Sequence, residues 1–261
     1  MIKPAIKLKL LLWLALGLLV LVVWQFRLQI KQTKGTDWNY LFNVGVAVFY
    51  LVAAGLAFGR RRLLSKADQG RIVLGYFGFA ALFWGVAYLI WTYYNLILDQ
   101  SVPYPSLADL FFLVSYPLLG LGVWQLRENY SVKTNPKFTR EALLFVVLAC
   151  VVIFAFLNRP DLSPDLGLAK NLLNVAYSLG DVLLVTMAFV GLRGGQIKNH
   201  LGLFTVVLFL VLQAAADFLF AYRNNSGLYW NGDIADLLFG VSGWLLALAL
   251  AQDNLLARSK K

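Results

Sequence analysis

Four aspartates lie within or at the edge of otherwise apolar stretches of this sequence, and they are its best candidates for chemistry. They are Asp109, Asp181, Asp217 and Asp236. A carboxylate in hydrocarbon costs about 3 kcal/mol or more, so it usually faces a cavity or a partner. Asp109 and Asp236 lie near predicted helix starts, where capping of the helix N-terminus is an alternative role. Asp181 and Asp217 lie too far along their helices to cap them, which favours a buried polar network or a cavity.

The elements that must position these aspartates are long apolar runs. The chain has 261 residues, is 60% hydrophobic and is too apolar for a soluble domain of its size. Its apolar runs of about 17–25 residues match the length of helix that crosses hydrocarbon, and they do not alternate as barrel strands do. We therefore predict an all-α membrane protein, a single polytopic domain over residues 1–261. The eight predicted transmembrane helices are 8–26, 39–58, 72–94, 105–126, 141–158, 170–192, 201–222 and 234–252.

The basic residues predict how these spans are oriented. The chain holds 23 Lys and Arg against 13 Asp and Glu. Most of the basic residues fall at the two termini and in alternate loops, which places both termini in the cytoplasm of a plasma-membrane protein. Anionic lipid headgroups account for the net charge of +10. Membrane lipids are thus expected partners, and nucleic acid is not.

The predicted topology gathers polar and aromatic side chains at the outer side of the bundle. This pattern predicts an outward-facing cavity with an acidic floor and aromatic walls. The alternative is that Tyr and Trp collect at membrane interfaces because they are amphipathic. Pro117 removes a helix hydrogen bond directly after Tyr116, which predicts a packing kink or a hinge. The candidate ligand-binding residues are Asp109, Asp181, Asp217, Asp236, Tyr116, Tyr177, Trp91 and Arg223.

No residue is assigned a catalytic or metal-binding role, and no cofactor is expected. His200 is the sole histidine, which excludes paired-histidine haem ligation and a multi-histidine metal site. Cys150 is the sole cysteine, so the chain cannot form an internal disulfide.

An offset of 127 residues aligns two parts of the chain. Ser106–Gly122 and Asp233–Ala249 are identical at nine of 17 positions, which include Asp109/Asp236 and Ser115/Ser242. The inferred unit is four helices, with one repeat at about 8–126 and the other at about 141–252. Because four is even, the copies would run parallel about a pseudo-two-fold axis along the membrane normal.

Three motifs resemble a known family. They are Trp84-Gly85 followed by Ile90-Trp91-Thr92-Tyr93-Tyr94, then Pro103-Tyr104-Pro105-Ser106-Leu107-Ala108-Asp109 with Tyr116-Pro117-Leu118, and finally Tyr177 with Asp181. Together they resemble the N-terminal multi-helix membrane sensor module of bacterial diguanylate cyclases, phosphodiesterases and sensor histidine kinases, over residues 40–252. Ser178 departs from the family's proline, and no GG[DE]EF output sequence follows. The resemblance implies a sensory or binding module, and it does not imply cyclase activity.

The sequence therefore favours a non-enzymatic, sensor-like module. It would bind a small molecule, a lipid or a partner in its outer half and act through a separate cytoplasmic signalling protein. Three alternatives stay open. They are a structural subunit that binds other membrane subunits, a proton-coupled transporter, and an intramembrane hydrolase that uses Asp181 and Asp217 as acid and base.

Overall fold

The computed structural model describes residues 4–129, 140–142, 144, 146–148, 168–192 and 201–256, and all their regular secondary structure is helical. The helices are α1 (Pro4–Lys31), α2 (Asp37–Leu63), α3 (Gln69–Thr92), α4 (Leu107–Asn129), α5 (Leu168–Leu192), α6 (Leu201–Asn225) and α7 (Ile234–Ala251). A π-helical turn, Tyr93–Ile97, extends α3, and a 3-10 turn, Asp253–Leu256, follows α7. The predicted all-α class is thereby confirmed.

Six of the described helices are long and apolar enough to cross a membrane: α1, α2, α3, α4, α6 and α7. This agrees with a multi-pass membrane protein, but it does not establish the eight predicted spans. The predicted fifth span, 141–158, lies largely outside the described residues. The predicted sixth corresponds to α5, whose described apolar stretch, Val175–Phe189, is too short to count as a span.

Six helices form a closed ring. In order around the ring, α2, α3, α4, α5, α6 and α7 each pack on the next, and α7 returns to α2. The first helix lies outside this ring, against α2 and α7. Large apolar side chains of α1 such as Trp13 and Phe26 are more than 60% exposed, as expected for a helix that faces lipid.

Polar side chains at the helix starts and ends define the two ends of the ring. At one end, which we call the cavity end, Thr36 and Asn39 form a capping box at the start of α2, and Asp233 accepts from the Ala235 amide at the start of α7. At the opposite end, the Arg60 guanidinium donates to the carbonyl oxygen of Gln252 at 2.9 Å. Arg60, Arg61 and Arg62 all lie in the last turn of α2, and Arg71 lies in the first turn of α3, so this end of the α2–α3 pair is strongly basic.

An aromatic cluster fills the centre of the ring. The Tyr50 ring stacks on Trp84 with centroids 5.5 Å apart and on Tyr88 at 5.9 Å. Trp84 also contacts the ring of Tyr116, at a centroid distance of 5.9 Å. The α4 helix carries Tyr116 and continues through Pro117 to Asn129. The polar side chains of the site described below lie next to these rings.

Candidate functional site: a buried acidic cavity

A cavity of about 580 Å³ lies inside the ring near the cavity end. Side chains from α3, α4, α5, α6 and α7 line it, together with the loops before α4 and α7. Its size falls within the range of about 300–1,000 Å³ that is usual for small-molecule sites. A ligand that fills this cavity would contact five helices at once.

Seven of the eight candidate residues line this one cavity: Trp91, Asp109, Tyr116, Tyr177, Asp181, Asp217 and Asp236. The eighth, Arg223, is not among the lining residues. Its guanidinium pairs with Asp233, with Nη2 2.7 Å from Oδ2, and the Asp233 side chain is fully buried. Nη2 also donates to the Leu228 carbonyl oxygen at 3.2 Å. Arg223 therefore ties the end of α6 to the loop that leads into α7.

Tyr116 lies between Asp181 and Asp217, the two lining aspartates that are farthest from the starts of their helices. Its hydroxyl is 3.1 Å from Oδ1 of Asp181 and 3.2 Å from Oδ2 of Asp217. A phenol carries one proton, so it can donate to only one carboxylate at a time. Both contacts are hydrogen bonds when one carboxyl is protonated and donates to the phenol oxygen. The three groups then hold two protons and one negative charge.

Gln213 connects this pair to the centre of the ring. Its amide nitrogen donates to Asp217 Oδ2 at 3.0 Å. Its amide oxygen accepts from the Tyr50 hydroxyl at 2.8 Å and from the Ser242 hydroxyl at 2.7 Å. The polar network therefore runs through α2, α4, α5, α6 and α7. The sequence analysis missed Gln213, although an amide one helical turn before Asp217 in an apolar helix was a usable signal.

Asp109 is held at the start of α4 and also reaches across the ring. Its Oδ2 accepts from the backbone amide of Ser106 at 2.6 Å and from the Ser106 hydroxyl at 2.8 Å. Its Oδ1 accepts from the Tyr177 hydroxyl on α5 at 2.8 Å. Both oxygens have donors, and the helix N-terminus adds a favourable dipole. Asp109 thus combines the capping role with a contact between helices.

Asp236 occupies the corresponding position in α7. Its Oδ2 accepts from the Gly232 amide at 2.7 Å, and the Tyr229 hydroxyl is 3.2 Å from both of its oxygens. Burial raises the pKa of Tyr229 well above its usual range, and the negative charge of Asp236 raises it further. Tyr229 is therefore a protonated donor at any physiological pH, and it holds Asp236 at the helix start.

The side-chain amide of Asn231, in the loop before α7, forms hydrogen bonds with residues of both α2 and α3. Asn231 Oδ1 accepts from the Trp91 indole nitrogen at 2.8 Å and from the Asn43 amide nitrogen at 2.9 Å. The indole of Trp91 is thus oriented from within the protein rather than by an interface with lipid. Asn231 lines the cavity as well, and the sequence analysis did not single it out.

The lining of the cavity is acidic and aromatic, with no Lys, Arg or His among the described residues that form it. Within the described chain, no three His, Cys, Asp or Glu side chains converge to hold a metal ion. The chemistry that these residues can supply is therefore hydrogen bonding, negative charge and aromatic contact.

Comparisons of the chain with protein-family models, with curated proteins and with solved structures found no match.

Proposed function

We propose that this chain is a non-enzymatic, membrane-embedded ligand-binding module of the sensor type. A small molecule would bind in the acidic cavity, and a separate cytoplasmic signalling protein would read the resulting change in helix packing. One observation carries the proposal: the cavity is lined by five of the six helices of the ring. A ligand that contacts all five stabilises one arrangement of the ring over others, which is what a sensor requires.

The hydrogen-bond network supports this proposal. Gln213, Tyr50 and Ser242 extend from the cavity floor to the interior of α2 and α7. A ligand that displaces Asp217 would therefore alter contacts outside the cavity. The Tyr116 hydroxyl occupies the place between Asp181 and Asp217 where a hydrolase would need its attacking water, so we favour binding over hydrolysis.

The topology belongs to the same proposal. We place residues 141–158 and 170–192 as further spans, which makes eight, with both termini cytoplasmic in the plasma membrane. The order of the ring supports an internal duplication, because a half-turn exchanges α2 with α5, α3 with α6 and α4 with α7. Asp109 and Asp236 also occupy the same third position of equivalent helices, α4 and α7.

Filling the cavity tests the proposal. The purified protein would be reconstituted in lipid nanodiscs and heated with choline, benzyltrimethylammonium, 3,3-dimethyl-1-butanol and phenylacetate in turn. We expect at least one of them to raise the melting temperature, by about 2–4 °C for each kcal/mol of binding free energy. Ala214→Trp, which adds a large ring to the cavity lining, is expected to abolish that shift.

The matched control places the same ring on the lipid-facing surface. Leu208 is on the same helix and 40% exposed, so Leu208→Trp should keep the full ligand-induced shift. Both variants must first show wild-type helix content by circular dichroism. Absence of any shift with the wild-type protein, or an equal shift in Ala214→Trp, would contradict the proposed function.

Proton-coupled transport is the second candidate, and the position of Asp181 and Asp217 on either side of the Tyr116 hydroxyl favours it. A pair that gains and loses one proton near the middle of a helix ring suits a carrier. In liposomes with an imposed pH gradient, a transporter would accumulate radiolabelled choline, and Asp181→Asn would abolish the uptake. A sensor would bind the same probe without accumulating it, which separates the two functions.

A further inference from the structure

We infer that the ligand of the cavity is a small monovalent organic cation with an apolar body, held by the Asp181–Tyr116–Asp217 group. This inference rests on the proposed function, since it names the chemical class of ligand for the same cavity. The inference depends on how the charges in the cavity are compensated, on the side chains around them and on the volume available to a ligand.

The four lining carboxyls form two pairs that differ in their hydrogen-bond donors. Asp109 and Asp236 are compensated within the protein, because each accepts hydrogen bonds from a backbone amide and from a tyrosine hydroxyl at a helix start. Asp181 contacts only the Tyr116 hydroxyl, and Asp217 contacts that hydroxyl and accepts from Gln213 through the same oxygen. Among the described residues, no donor reaches the other oxygen of either carboxyl.

The Asp181–Tyr116–Asp217 group carries one net negative charge when one of its carboxyls is protonated and both contacts with the Tyr116 hydroxyl are hydrogen bonds. No basic side chain among the described lining residues neutralises that charge. Asp233 provides the contrast, because its buried carboxylate lies against Arg223 at 2.7 Å. An uncompensated charge in a low-dielectric interior attracts a cation strongly, and one monovalent cation balances this group.

The walls of the cavity are largely aromatic. Aromatic rings from α3 and the loop before α7 line the cavity: Trp84, Tyr88, Trp91 and Trp230. The faces of such rings attract cations, and quaternary or protonated amines are the ligands that this arrangement suits. The same rings would disfavour an anion. They also favour an apolar body on the ligand, because they offer few hydrogen-bond partners.

The volume of the cavity limits the class of ligand that fills it. A volume of about 580 Å³ exceeds what a bare metal ion needs, and within the described chain no three ligating side chains converge on one point. An organic cation fills the space with carbon and still places its charge beside Asp181. The combination of volume, aromatic lining and one free negative charge therefore selects an organic amine over a metal ion.

A pair of nearly isosteric probes tests this inference. Choline and 3,3-dimethyl-1-butanol differ mainly in the positive nitrogen that replaces a carbon, so charge is the main variable. Titration of the melting temperature in nanodiscs should show choline binding roughly 10-fold or more tighter than the alcohol. Benzyltrimethylammonium should bind tighter still, because it adds an aromatic body, and phenylacetate should bind weakest.

The pair of aspartates is tested by substitution. Asp181→Asn and Asp217→Asn should each weaken benzyltrimethylammonium binding by roughly 10- to 100-fold, with little effect on the alcohol. Asp37→Asn is the matched control, because Asp37 is exposed at the same end of the ring and its loss changes the net charge equally. That variant should bind all four probes as the wild-type protein does.

The possible outcomes separate this inference from the proposed function. If the alcohol or phenylacetate stabilises the protein as much as the cations, the cavity binds ligands but the inferred class is wrong. The same conclusion follows if both Asn variants fold and keep wild-type affinity for the cations. If no probe stabilises the wild-type protein, the inference and the proposed function fail together.

Discussion

Replacing Gly180 with alanine is expected to destabilise this protein by about 1–3 kcal/mol and to disturb its cavity. A Cβ atom at residue 180 would overlap Cδ1 of the Tyr116 ring and lie 2.7 Å from its Cε1. That ring is buried and packed against Trp84, so it can move only by repacking its neighbours. Thermal unfolding in nanodiscs, followed by tryptophan fluorescence, measures the loss.

The same substitution should separate Tyr116 from its two carboxyl partners. A displaced ring would carry its hydroxyl away from Asp181 and Asp217, to which it is now 3.1 and 3.2 Å distant. Ligand-induced stabilisation should therefore fall in Gly180→Ala beyond the loss of intrinsic stability. Titration of benzyltrimethylammonium at a temperature where the variant is fully folded measures the two effects separately.

Gly55→Ala is the matched control for this experiment. Gly55 lies within α2, and nothing lies within 4 Å of a Cβ atom placed there. Alanine is the better helix former, so we expect stability to be unchanged or raised by up to about 1 kcal/mol. Equal melting temperatures for the two variants would mean that Tyr116 does not pack on Gly180 as described.

Gln213 and Gln25 should respond in opposite directions to replacement by leucine. Gln213 is 1% exposed and makes three side-chain hydrogen bonds, with Asp217, Tyr50 and Ser242. Leucine has a similar volume but leaves these groups without their partner. Tyr50 keeps the Phe239 carbonyl oxygen at 3.1 Å, so we expect a net loss of about 2 kcal/mol.

Gln25 provides the contrasting case within the same protein. It is 3% exposed, and neither its amide oxygen nor its amide nitrogen has a hydrogen-bond partner among the described residues. Removing an unsatisfied buried amide should therefore stabilise the protein by about 1–2 kcal/mol. Melting temperatures of Gln213→Leu and Gln25→Leu, measured together, check both signs. A loss of stability at both sites would contradict the assigned network.

The positions of the helices follow from the sequence because lipid permits few solutions. A continuous apolar run must form a helix whose backbone hydrogen bonds are internal, so its length and limits can be read directly. The spans predicted at 39–58, 201–222 and 234–252 correspond closely to α2, α6 and α7. The sequence also identified the aspartates of the cavity, because a carboxylate stands out in an apolar run.

Local signals likewise predicted part of the site. Capping of a helix start was the alternative role predicted for Asp109, and its carboxylate accepts from both the amide and the hydroxyl of Ser106 there. Asp236 lies at the third position of its helix, as the predicted span 234–252 placed it. Such contacts involve residues a few positions apart, so the local backbone alone brings them together.

Only the tertiary structure decided which of these side chains meet. Tyr116 contacts Asp181 and Asp217 across 65 and 101 residues of chain, and no local pattern reports such a separation. The same holds for Gln213, which joins Tyr50 to Asp217, and for Gly180, whose missing side chain admits the Tyr116 ring. Hydrophobic length specifies that a helix crosses the membrane, but not which neighbours it packs against or how it is rotated. The packing partners and the rotation of the helices together place the Tyr116 hydroxyl between Asp181 and Asp217.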